Sequence, residues 1–133
     1  MSAAAEAFLD TNVLLYLLSA DPARADRAEE IVAEGGVVSV QVLNEFAAVA
    51  TRKLGMRIPE AAEALRAVRA LCKVVPLQEE THDLGMRIAE RHGLSLYDAI
   101  IAAAARLAGC RTILSEDMQD GLRLEGMRIR NPF

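Results

Sequence analysis

A chain of 133 residues with a net charge of −4 is sized for one domain with a single core, and it lacks the basic excess of a protein that coats nucleic acid. A nuclease stays open, because a cluster of metal-binding carboxylates is itself acidic. Aromatic residues are 4% of the chain and Trp is absent, so the 53% apolar fraction must build its core from Ala, Val, Leu and Ile, which suits helices packed closely on a small sheet.

"EAFLD" reads as a short buried strand ending at Asp10, and "TNVLLYLLS" as a helix starting at Thr11 or Asn12. In "ADPARADRAEEIVAEGG", Asp21 is a good N-cap, Pro22 suits the first turn and Gly35 closes the helix. "VVSV" is a short strand, after which Ser39 caps a helix that carries Glu45 and stops near Gly55. Pro59 opens "PEAAEALRAVRALC", "KVVPL" is a strand, and "EETHDLGMRIAERHG" is a helix ended by Gly93. Ser95 caps "LYDAIIAAAARLAG", which Gly109 ends. "RTILSED" is a strand running into a short helical turn at "EDMQDG", and "GMRIRNPF" closes the chain with an edge strand. The alternation predicts an α/β fold, a small parallel β-sheet with helices on both faces, as a single domain over 1–133.

Cys72 and Cys110 are far apart and have no metal-ligand spacing, so they read as two buried thiols in a reducing compartment. The opening "MSAAAEAFLD" has no basic leader, and the apolar run from Val13 to Leu18 is too short to span a bilayer. The expectation is a soluble cytoplasmic protein with no membrane partner.

In such a sheet, ligands bind at the carboxyl ends of the strands. Asp10 and Asp117 each follow a strand, Glu45 sits in the second turn of a helix that follows one, and Asp98 lies in a first turn. Each acid has a plain structural role to set beside a chemical one. Asp10, Thr11 and Asn12 are all residues that cap helices. "SLYD", Ser95 to Asp98, matches a capping box. Asp117 suits a helix start capped by Ser115, with Asp120 on its face and Glu116 as surface. Glu45 is the exception. It is too deep to cap its helix, it has Val49 rather than a cation at i+4, and it shares a face with Gln41, Val42 and Ala48. An acid there either reaches water at the edge of the stripe or serves a crevice.

Carboxylates gathered on one rim repel. At about 4 Å and an effective dielectric near 20, each pair costs roughly 4 kcal/mol. A cation offsets this, and a donor set of oxygens alone selects Mg²⁺ or Mn²⁺, with Ca²⁺ also possible. The corresponding chemistry is metal-assisted phosphodiester hydrolysis.

"FLDTNVLLYLL", "VVSVQVLNEF", "GLSLYDAIIAAAA" and "ILSEDMQDG", in that order, resemble the PIN-domain family, in particular the VapC-type toxins of toxin–antitoxin pairs. The terminal "RIRNPF" is similar too, so the resemblance spans essentially the whole chain. It implies an acidic quartet of Asp10, Glu45, Asp98 and Asp117 holding Mg²⁺ or Mn²⁺ and orienting water. It matches Thr11 or Asn12 and Ser115 to supporting polar positions, with Asp120 at a position where the family varies. It implies endoribonuclease activity on RNA, a cognate antitoxin as partner, and a homodimer. Arg52, Lys53, Arg57, Arg87 and Arg91 read as solvated helix faces, with a local basic rim for RNA as the alternative.

Two other readings remain. One is a non-catalytic module whose acid rim binds a basic antitoxin-like peptide. The other is a different Mg²⁺-dependent α/β phosphohydrolase. A dehalogenase-type phosphatase wants a second Asp where Asn12 stands, and a receiver wants a late Lys, whereas the only lysines are Lys53 and Lys73.

Overall fold

The computed structural model describes residues 7–133. Strand β1 (Phe8–Leu9) leads into α1 (Thr11–Leu15), which tightens into a single 3₁₀ turn over Tyr16–Leu18. There follow α2 (Pro22–Ala33), β2 (Val37–Ser39), α3 (Val40–Arg52), α4 (Ile58–Leu71), β3 (Lys73–Val75), α5 (Glu79–His92) and α6 (Leu96–Leu107). The chain closes with β4 (Thr112–Leu114), β5 (Arg123–Leu124) and β6 (Met127–Arg130). The caps are those the sequence indicates. Asp21 accepts from Ala23 N–H, Ser39 from Val42 N–H and Ser95 from Asp98 N–H. Gly93 ends α5 in the left-handed conformation, where a missing Cβ removes the steric cost.

The strands order as β3-β2-β1-β4-β6-β5, all parallel except β5, which runs antiparallel to β6. Phe8 and Leu9 of β1, and all three residues of β2, are buried, so both faces of the sheet's centre are covered. Buried on both faces, such strands lose the alternation of a half-exposed sheet and read as continuous apolar runs. Helix α6 is buried from Ala99 through Ala105. Small side chains let α5 close on it, and Gly85 marks the tightest point: a Cβ there would lie 2.7 Å from Ile100 Cγ1.

Two features differ from expectation. Residues 116–121 form no helical turn. Ser115 Oγ does accept from Asp117 N–H (3.2 Å) and Met118 N–H (3.2 Å), as a cap would, but Asn12 Oδ1 takes the N–H of Glu116 (2.9 Å) and the chain bends away. The last strand, β6, is not an edge strand, because β5 lies outside it. The hairpin turns at Glu125 (φ 53°) and Gly126 (φ 82°). Two-residue turns with positive φ favour Asn-Gly or Asp-Gly, so Glu-Gly gave only a weak signal. Among the described residues no helix is long and apolar enough to cross a membrane. Cys72 and Cys110 are both buried.

Candidate active site

Asp10 stands where β1 ends, and it is both a cap and a buried acid. Its Oδ1 accepts from Thr11 N–H (2.7 Å), and its Oδ2 accepts from Ser115 Oγ (2.7 Å) and Asn12 Nδ2 (3.2 Å). The residue is only 3% exposed. Burial pushes its carboxyl up to about 6, against the pull of the Ser115 and Thr11 bonds. The negative charges of Asp98 on α6 and Glu45 on α3 push it further in the same direction, so both acids bear on the carboxylate that follows β1.

Glu45 is half-buried on α3 and bonded at both oxygens. Thr11 Oγ1 donates to Oε1 at 2.7 Å, and Gln41 Nε2 donates to Oε2 at 2.9 Å. These bonds answer the sequence's open choice, since the acid faces a crevice shared with α1. Asp98 is half-buried in the first turn of α6. Ser95 takes its N–H, but the reciprocal bond of a capping box does not form, so the carboxylate is not spent on the helix end.

Asp117 joins through Asn12. The Asn12 amide nitrogen lies 3.2 Å from Asp10 Oδ2 and 3.3 Å from Asp117 Oδ2, and the Glu116 N–H on its oxygen fixes its orientation. Thr11, Asn12 and Ser115 therefore support the acids by direct hydrogen bonds. Asp120 does not join this network, because its Oδ1 takes the Asn131 N–H at 2.9 Å. Glu116 is occupied as well. Tyr16 and Arg24 (2.8 Å) bond it and hold its carboxyl below the usual range.

Sequence reading missed one residue of this site. Gln41 is buried, and its amide nitrogen also lies 3.1 Å from the Tyr97 carbonyl, next to Asp98. It ties α3 to the start of α6. Its position one turn before Glu45 was visible, but its contact across to Tyr97 was not.

Thr11, Asn12, Gln41, Glu45 and Asp117 line an open cleft of about 650 Å³, whose other walls include Leu15, Val49, Leu77 and Tyr97. Among the described residues, no three Asp, Glu, His or Cys side chains are placed to hold a metal ion as they stand. The donor chemistry nonetheless suits a hard cation, because the donors are all oxygen and the most buried carboxylate carries a charge its surroundings disfavour.

Comparison with solved structures finds the same fold in VapC20 of Mycobacterium tuberculosis, described as a sarcin-ricin loop cleaving toxin. It is 24% identical over 83% of this chain and 88% of that one, with a TM-score of 0.67. A toxin–antitoxin complex from Klebsiella pneumoniae matches at 19% identity over 96% of this chain and 98% of that one, with a TM-score of 0.71. DNA-bound VapBC from Salmonella typhimurium matches at 18% identity over 97% and 99%, with a TM-score of 0.72. No curated protein sequence matches the chain significantly. The PIN domain family model matches residues 7–119, which takes in β1 with Asp10, the helices bearing Glu45 and Asp98, and the bend bearing Asp117. With the fold and the sequence in agreement over that span, the chain belongs to the PIN-domain family.

Proposed function

We propose that this protein is a metal-dependent endoribonuclease and the toxin of a type II toxin–antitoxin pair. The observation that carries the reading is the buried Asp10, which feels the charges of Glu45 and Asp98 at the carboxyl end of a PIN-fold sheet. We assign Asp10, Glu45, Asp98 and Asp117 as the residues that would hold Mg²⁺ or Mn²⁺. A bound divalent cation lowers the pKa of its water and offsets charge on the phosphate.

The chain's own residues prepare that step. Thr11 and Gln41 hold Glu45 from both sides. Ser115 and Asn12 fix Asp10, and Asn12 carries the same order to Asp117. The apolar wall of Leu15, Val49, Leu77 and Tyr97 gives unstacked bases a surface beside the acids. The likeness to solved toxin–antitoxin complexes supports a cognate antitoxin as partner. A second copy of the chain and a cytoplasmic setting complete the proposal.

The test is cleavage of a labelled RNA pool by antitoxin-free protein with Mn²⁺ or Mg²⁺, and again with EDTA, beside Asp98→Asn. Metal-dependent cuts absent from the variant are expected. Cuts that persist in EDTA, or in Asp98→Asn, would contradict the reading. Metal and RNA binding without any cuts would favour the binding-only module instead.

A further inference from the structure

The far edge of the sheet is bare on one face. On β6, Met127 and Ile129 are buried while Arg128 and Arg130 are exposed, and on β5 Leu124 is buried while Arg123 is exposed. The register puts Arg123 directly opposite Arg128, and opposed side chains share a face. Arg128 and Arg130 are two residues apart on one strand, so they share that face too, roughly 6.7 Å apart along it. Their neighbours across on β4 are Thr112 and Leu114, neither of them charged.

Among the described residues, none of these three arginines forms an ion pair. The acids nearest in sequence are taken. Glu125 is held by Arg91, His92 and Arg106 at 2.7 Å each, and Asp120 by the Asn131 N–H. Like charges opposed across a ladder weaken it. Edge protection accounts at most for Arg123 on the edge strand β5; Arg128 and Arg130 lie on β6, which β5 already covers, and have no such role. The strip is also placed with respect to the acids. Arg130 pairs with Leu114, and its carbonyl accepts the N–H of Ser115 at 3.0 Å, whose Oγ bonds Asp10. Arg128 and Arg123 lie one step further from the acid rim.

We propose that Arg123, Arg128 and Arg130 form a phosphate track that binds the backbone of single-stranded RNA flanking the scissile bond, a role that rests on the ribonuclease reading above. Charge selects this occupant. A chain of net charge −4 repels a polyanion, so capture needs a local cluster of free cations. Guanidinium forks match phosphate, and backbone contacts fix register without reading sequence. The basic rim read on helix faces loses one member to this arrangement, since Arg91 is committed to Glu125.

The test is fluorescence anisotropy of a labelled single-stranded RNA in EDTA over a range of salt, which reads binding without cleavage. R123Q/R128Q is compared with R69Q/K73Q, which removes the same charge from exposed, unpaired residues on α4 and β3, away from the helix-face rim. The track predicts several-fold weaker binding for R123Q/R128Q alone. It also predicts a salt slope shallower by about 1.4, at roughly 0.7 for each single-strand phosphate that is no longer neutralised. R123K/R128K should keep the slope. Equal weakening in both glutamine variants, or none in R123Q/R128Q, overturns the track. Cleavage with Mn²⁺ separates the two claims. Strip-dependent binding by a wild type that never cuts would sink the ribonuclease and keep the track. Cutting with a KM that R123Q/R128Q leaves unchanged would do the reverse.

Discussion

Gln41 and Glu45 stand one turn apart on α3, joined by a 2.9 Å bond from Nε2 to Oε2, and the same nitrogen reaches the Tyr97 carbonyl at 3.1 Å. One buried amide thus sets the distance between the helix that carries Glu45 and the turn that carries Asp98. Gln41→Met keeps the volume and removes both bonds. Partners that orient metal-holding side chains typically carry a 10–100-fold effect on affinity or activity. Mn²⁺ affinity measured calorimetrically should fall by about that factor, with kcat falling more than KM rises. An unchanged Mn²⁺ affinity would make Gln41 a packing residue only.

Asp10 should make the metal-free protein less stable than it could be. Its carboxyl is raised from 3.8 to about 6 in the folded state. A raised acid contributes stability that is fully present below its unfolded pKa and lost as pH rises through the folded value, here from about 4 to about 6. Roughly two pH units correspond to about 3 kcal/mol at most. In EDTA, the stability of Asp10→Asn relative to wild type should therefore rise from pH 4 to pH 8, on top of a pH-independent loss from the hydrogen bonds its NH2 cannot accept. Adding Mn²⁺ should stabilise the wild type by mass action and not the variant. A stability difference between variant and wild type that is the same at pH 4 and pH 8 in EDTA would contradict the charge argument.

Glu125 works in the opposite direction. The His92 bond, then Arg91 and Arg106, hold its carboxyl below the usual range, against the opposing effect of burial. A depressed acid contributes stability that is present above its unfolded pKa and lost as pH falls through the folded one. The hairpin tip it anchors, with its left-handed backbone at φ 53°, should loosen first in acid. Glu125→Gln should cost about 1.5–3 kcal/mol at pH 7, the range of a hydrogen bond to a charged group, and should flatten the acid limb below about pH 4.5. Hydrogen exchange at β5 and β6 reads this directly. Unaltered exchange would mean that the three cations are incidental.

The elements with local chemistry were legible in the sequence. Ser39, Asp21 and Gly93 punctuate helices by hydrogen bonds or backbone freedom within a few residues. Glu45 was legible as a conflict, an acid in an apolar stripe with no cation one turn on. What was hidden depended on distant partners. Ser115 looks like a helix cap, yet Asn12 takes the next N–H and no helix follows. Glu-Gly gave little sign of a hairpin, because the residue that accepts positive φ there is held by Arg91, His92 and Arg106 from two helices. Gln41 and the arginine strip are likewise defined by α6 and by strand register rather than by sequence neighbours.

The central claim is that Asp10, Glu45, Asp98 and Asp117 share a divalent cation. Anomalous diffraction at the manganese edge from crystals grown with Mn²⁺ tests it most directly. The account predicts a peak bonded to oxygens of Asp10 and Asp98 within reach of Glu45 and Asp117, and no peak in Asp10→Asn crystals. A well-occupied peak elsewhere, or none at millimolar Mn²⁺, would contradict it.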